Sequence, residues 1–137
     1  MTKHPPVYPL LWSMDVAGIL DWATRVLRLT EVWRDPSDGS AVEHGELAFA
    51  GGRISVNIKR ASDSEMGASG IALHLESREA VDASHAHAVA EGARFTQGAD
   101  APEESFVSYG FTALDPDGNQ WWVHRETGAL DALRAND

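Results

Sequence analysis

Two histidines and an adjacent tryptophan pair are the residues of this chain best suited to chemistry. Trp121, Trp122 and His124 lie in the segment NQWWVHR, and His74 lies in GIALHLE. Adjacent strand residues point to opposite faces, so the two tryptophans cannot share their neighbours. Alternation places Trp121 in the core, and Trp122, His124 and His74 on the opposite face. A histidine there could act as a base, a hydrogen-bond donor or a ligand, although a satisfied, partly buried histidine is commoner.

Alternation on the other predicted strands extends this face. In RISVNIK the apolar Ile54 and Val56 point to the helix side, which leaves Ser55 and Asn57 on the other. We therefore predict a concave, aromatic-rich face that binds a small molecule. Its predicted ligand-binding residues are Tyr8, Leu10, Trp12, Ser55, Asn57, Lys59, Gly70, His74, Trp122 and His124.

For two further pairs of polar residues the sequence gives weaker evidence of a function. His44 and Glu46 are predicted on one side of an adjacent strand, where they could join the two histidines of the open face in a shifted metal site. No spacing motif supports that site. His85 and His87 are two residues apart on a predicted helix, which separates them by about 200°. They do not share a face, so we assign them structural roles.

The composition restricts the class of protein. The chain has 137 residues, enough for one domain, and no cysteine, which excludes disulfides and thiolate metal sites. A net charge of −10 argues against nucleic acid binding and mildly favours cationic ligands. From its short apolar runs we expect neither a signal peptide nor a membrane span. We expect a cytoplasmic protein with no nucleic acid or membrane partner.

The order of elements repeats along the chain. Each half reads strand, helix and three strands, and Asp15 and Ser77 are placed to cap the two helices. Such a duplication predicts two βαβββ modules in an α+β fold. The predicted boundaries are a single domain over 1–137, a first module at 7–60, a linker within 61–69, a second module at 70–126 and a tail at 127–137.

Four segments in this order resemble the vicinal oxygen chelate superfamily. They are DVAGILDWATRVL after the first strand, GELAFAGGRISVNIKR, AVAEGARF, and DPDGNQWW closing the second module. That superfamily contains glyoxalase I, extradiol dioxygenases and bleomycin-resistance proteins. The resemblance spans about residues 7–126 and is closest to small bacterial proteins of the glyoxalase/bleomycin-resistance type.

The resemblance implies a cup-shaped mixed sheet with the helices on its outer face, and a homodimer. It places the metal-ligand positions of the family's enzymes on Tyr8, about Ser55, Gly70 and Trp122. Divalent metals in such enzymes need imidazole or carboxylate donors, which a glycine and an indole cannot supply. We therefore predict no metal and no cofactor.

Two functions from different classes remain open on this scaffold. The first is a binding protein that holds an aromatic, antibiotic-like molecule, neutral or cationic, as in antibiotic resistance. The second is a lyase, isomerase or dioxygenase that uses noncanonical metal ligands, or a histidine as base. The missing donors favour the first. The third alternative is that the cup is largely filled and the protein serves only as a dimeric scaffold.

Overall fold

The chain forms two β-sheets, and a helix packs its buried side chains against one face of each. The computed structural model describes residues 5–36, 38, 41–59, 67–96 and 101–135; most of the predicted linker lies outside them. The elements in chain order are β1 (Leu10–Ser13), α1 (Val16–Val26), β2 (Thr30–Asp35), β3 (His44–Phe49), β4 (Gly52–Ile58), β5 (Gly70–His74), α2 (Arg78–Ala90), β6 (Arg94–Phe95), β7 (Glu103–Glu104), β8 (Ser108–Leu114), β9 (Gln120–Glu126) and α3 (Ala129–Arg134).

The first sheet has four strands in the order β1-β4-β3-β2, with β1 parallel to β4 and the other pairs antiparallel. Helix α1 covers one face of it with buried Ile19, Leu20 and Trp22. A Cβ on Gly45 of β3 would lie 2.5 Å from the Leu20 side chain, so the glycine lets the helix approach the sheet closely. The opposite face of this sheet is left uncovered by α1.

The second sheet has the order β5-β9-β8-β6, and β7 pairs with β8 beside β6. Helix α2 covers one face through Val81, His85 and Ala88. The His85 ring lies 5.0 Å from the centroids of both Phe95 and Phe111, which confirms its assignment to packing. In this sheet also, the helix leaves the opposite face uncovered, and we refer to that face as the open face.

Local signals begin and end the helices as the sequence indicates. The Asp15 carboxylate accepts a hydrogen bond from Gly18 N, and the Ser77 hydroxyl accepts one from Ala80 N. Gly92 follows α2 with φ of +75°, the left-handed conformation that glycine adopts without strain. Both caps are therefore the predicted residues.

The α+β class with two βαβββ modules is confirmed, with three differences of detail. The predicted mixed sheet is divided into two sheets. The first strand begins at Leu10, although the predicted module begins at residue 7, and the two-residue strand β7 is an addition to the three strands predicted after α2. Contacts divide the chain into one unit of Met1–Ser69 with Asp115–Asn119, and a second of Gly70–Leu114 with Gln120–Asp137. Within the described residues, no helix is long and apolar enough to cross a membrane.

Candidate functional site

The open face of the second sheet carries an aromatic cluster. Strand β9 pairs Trp122 with Ala72 and Thr112, and His124 with His74 and Gly110. Trp121 is 0% exposed on the helix side, whereas Trp122 is 39% exposed on the open side. The prediction that Trp121 belongs to the core is confirmed, and the two indoles have different surroundings.

His124 fixes the orientation of the Trp122 indole. The two rings stack with centroids 3.6 Å apart and planes inclined by 2°. The His74 ring stands edge-on to His124 at 5.6 Å, and its Nε2 accepts a hydrogen bond from Glu126 N. Strand β9 therefore presents a two-ring stack whose outer indole surface is open to a ligand.

Gly110 makes room for this stack on the neighbouring strand. A Cβ at position 110 would collide with the Val123 carbonyl oxygen and lie 2.6 Å from the His124 Cβ. Both obstacles belong to a hydrogen-bonded strand and cannot move without breaking the sheet. Only glycine therefore lets β8 approach β9 beneath the aromatic cluster.

The environment of His124 keeps its imidazole neutral at pH 7. Burial lowers the pKa of His124, the neighbouring His74 lowers it further, and Glu126 opposes the shift. The side chain is 5% exposed, and its Nδ1 has no hydrogen-bond partner among the described residues. A neutral imidazole is also the form that stacks on an indole without desolvating a charge.

A cavity of about 280 Å³ opens beside Trp122. Strand β8 lines it with Ser108, Phe111 and Thr112, and β7 brings two glutamates to its border. Sequence reasoning missed all of these except Trp122, because β7 is placed by long-range pairing to β8. The acidic pair Glu103–Glu104 was visible in the sequence, but nothing local indicated which strand it would join.

In the first unit the predicted residues of the open face form a polar network. Register places Leu10 beside Ser55 and Trp12 beside Asn57 on the parallel strands β1 and β4. The Asn57 amide nitrogen donates to Ser55 Oγ at 3.1 Å. The Asn57 Oδ1 lies 3.2 Å from His44 Nδ1. This network occupies side chains that we predicted to contact a ligand.

The remaining predicted residues of this unit lie near the ends of its strands. Tyr8 precedes β1 and is 40% exposed. Lys59 follows β4 and lines a second cavity of about 210 Å³ with Trp12, Asp117 and Asn119. Glu46, in contrast, is buried on β3 beside Ser55. The structure thus brings Trp12 together with Lys59, and Ser55 with Asn57; their binding roles remain predictions.

The family model for "Glyoxalase/Bleomycin resistance protein/Dioxygenase superfamily" matches residues 7–123, most of the chain. The chain belongs to this superfamily. Comparison with curated proteins finds no match.

Several solved structures share the fold at low sequence identity. TioX from Micromonospora sp. ML1 superposes with a TM-score of 0.73 at 21% identity, over 91% of this chain and 99% of that one. A lactoylglutathione lyase from Agrobacterium tumefaciens gives 0.69 at 15% identity, over 93% and 98%. A glyoxalase/bleomycin resistance protein/dioxygenase family enzyme from Burkholderia phytofirmans PsJN gives 0.68 at 21% identity, over 88% and 97%. These likenesses concern the fold alone.

The residues on which the resemblance places the metal-ligand positions do not fit a metal ion. Gly70 has no side chain, and the stacked indole of Trp122 offers no lone pair to a cation. Tyr8 and Ser55 carry hydroxyls, the latter engaged by Asn57. Among the residues that the structure describes, no group of three or more His, Asp or Glu side chains could hold a metal.

Proposed function

We propose that this protein binds a planar aromatic small molecule, with Trp122 as the stacking surface and without a metal ion. The observation that carries the proposal is the Trp122 indole, 39% exposed beside a cavity of about 280 Å³ and held flat by His124. An exposed, oriented aromatic ring in a concave site is a typical anchor for an aromatic ligand. Membership of a superfamily that includes bleomycin-resistance proteins is consistent with this role.

The test is a binding titration with planar aromatic probes such as quinoline derivatives. Replacing Trp122 by alanine removes the stacking surface, so we expect affinity to fall about tenfold. Trp33, 45% exposed on edge strand β2 of the other unit, provides the matched control, and Trp33→Ala should leave affinity unchanged. Equal affinity of the Trp122→Ala variant and the wild type would contradict the proposal.

The metal-free part of the proposal has its own measurement. The natively purified protein is incubated with Zn²⁺, Ni²⁺, Mn²⁺ or Fe²⁺, desalted and subjected to elemental analysis. We expect no stoichiometric retention, because the described donors are scattered or already hydrogen-bonded. A retained equivalent of metal per chain would overturn this part of the proposal.

A second candidate function is proton transfer, with neutral His124 as the base. The lowered pKa of His124 favours it, because the proton-accepting form predominates at neutral pH. Deuterium exchange at an acidic carbon of a bound aromatic ketone, followed by NMR in D₂O, tests it. Exchange that requires the protein and disappears in His124→Ala would support an enzyme. His124 is only 5% exposed and its ring is stacked on Trp122, which makes binding the better-supported function.

A further inference from the structure

The two residues of β7 point their side chains in different directions. Glu103 pairs with Gly110, and Glu104 pairs with Tyr109. Paired residues of neighbouring strands lie on the same face of a sheet. Gly110 is on the open face with His124, whereas the Tyr109 hydroxyl donates to Asp82 of α2. Glu103 therefore lies on the cavity face and Glu104 on the helix side.

The two glutamates also differ in how their charges are compensated. The Glu104 carboxylate lies 3.4 Å from Arg78 Nη1, and the Arg78 guanidinium lies 3.7 Å from the centroid of the Tyr109 ring. Glu103 has no ion pair with any residue that the structure describes. Of the two charges at the cavity border, that of Glu103 is the one left for a ligand.

The described lining of the cavity contains no counter-charge. Its members are Thr96, Ala101, Glu103, Glu104, neutral residues of β8 and the preceding turn, and Trp122, with no lysine, arginine or histidine among them. The face of an indole ring has a negative electrostatic potential, as a carboxylate does, so both attract a cation. A neutral aromatic molecule would use only the indole.

We propose that Glu103 makes this site selective for heteroaromatic cations over neutral aromatics of the same size. The inference rests on the proposed function, because it assigns a charge preference to the Trp122 cavity. The positive ring nitrogen of the ligand would face the Glu103 carboxylate while its ring stacks on the indole. Glu104, occupied by Arg78, contributes little to this preference.

The experiment compares a cationic and a neutral probe of similar size, N-methylquinolinium and 2-methylquinoline, near pH 8, where the second is uncharged. Calorimetric titrations use the wild type, Glu103→Gln and Glu104→Gln. The two variants change the net charge equally, so the long-range field of the acidic protein is matched between them. Thermal unfolding of each variant checks that the fold is retained.

We expect Glu103→Gln to lower affinity for N-methylquinolinium about fivefold, to leave affinity for 2-methylquinoline unchanged, and to reduce the salt dependence of cation binding more than Glu104→Gln does. Glu104→Gln should change either affinity much less. Equal effects of the two substitutions, or an unchanged cation preference in Glu103→Gln while Trp122→Ala still weakens binding, would overturn the role of Glu103 and leave the proposed function standing. Binding of neither probe by the wild type would overturn both.

Discussion

His124 is the residue whose charge state most affects the proposed site. It stacks on Trp122, stands edge-on to His74 and is 5% exposed. Protonation would place a charge in a poorly solvated position next to a second imidazole. The burial of His124 beside the indole therefore favours its neutral imidazole. The stacking of the two rings and the charge state of His124 thus depend on each other.

This coupling predicts a pH dependence of stability. Because the pKa of folded His124 lies below the usual 6.5, the unfolded chain binds the proton more readily, and the free energy of unfolding falls as the pH drops through 6.5. Urea unfolding between about pH 8 and pH 5 measures it. In His124→Asn, which has no ionisable group there, the fall should be smaller. Parallel curves for the two proteins would show that His124 does not titrate abnormally.

At the scale of elements, the DPDGN turn is held by its own side chains. Asp115 is 0% exposed, and its carboxylate accepts hydrogen bonds from Asn119 N and Asn119 Nδ2, each at 2.9 Å. Asn119 Oδ1 in turn accepts from Ser69 N at 2.7 Å. The motif that resembles any tight hairpin in sequence therefore also anchors a distant segment of the chain.

The turn gives a matched pair of substitutions. Asp115→Ala leaves two buried donors of Asn119 without this acceptor, so we expect the free energy of unfolding to fall by about 3 kcal/mol. Asp117→Ala removes an exposed carboxylate and keeps the backbone hydrogen bond to Asp115, so its effect should stay within about 0.5 kcal/mol. Equal losses in urea unfolding would show that the buried network is not what stabilises the turn.

The predicted elements were recovered where local chemistry specifies them. The caps at Asp15 and Ser77 follow from short-range hydrogen bonding, and the strands from alternation. The start of β1 and the presence of β7 were not predicted correctly, because a strand is defined by its pairing with residues far away in the sequence. For the same reason the sequence did not indicate Glu103, whose proposed role depends on its pairing with Gly110.

At the scale of the whole molecule, we propose that the protein forms a homodimer, as the family resemblance implies. Several large apolar side chains among the described residues are exposed, including Val7, Met14 and Phe106. Burial of such side chains at a subunit interface would stabilise association. A net charge of −10 on each chain opposes it.

Sedimentation equilibrium tests the oligomeric state. We expect a mass of twice 14.8 kDa, and tighter association at higher salt, because ions screen the repulsion between two acidic chains. The Glu103→Gln and Glu104→Gln variants serve as controls for small changes in net charge. A single species of 14.8 kDa across the micromolar concentration range would contradict the dimer.

The sequence by itself determined the superfamily, the two βαβββ modules and the placement of Trp121 and Trp122 on opposite faces of one strand. These depend on order, spacing and alternation, which are properties of neighbouring residues. Only the tertiary structure decided that His124 stacks flat on Trp122 over Gly110, and that Glu103, unlike Glu104, has no ion pair with a described residue at the border of the cavity. Both depend on which strands pair and in what register, and hydrogen bonding between distant segments sets that register only when the chain folds.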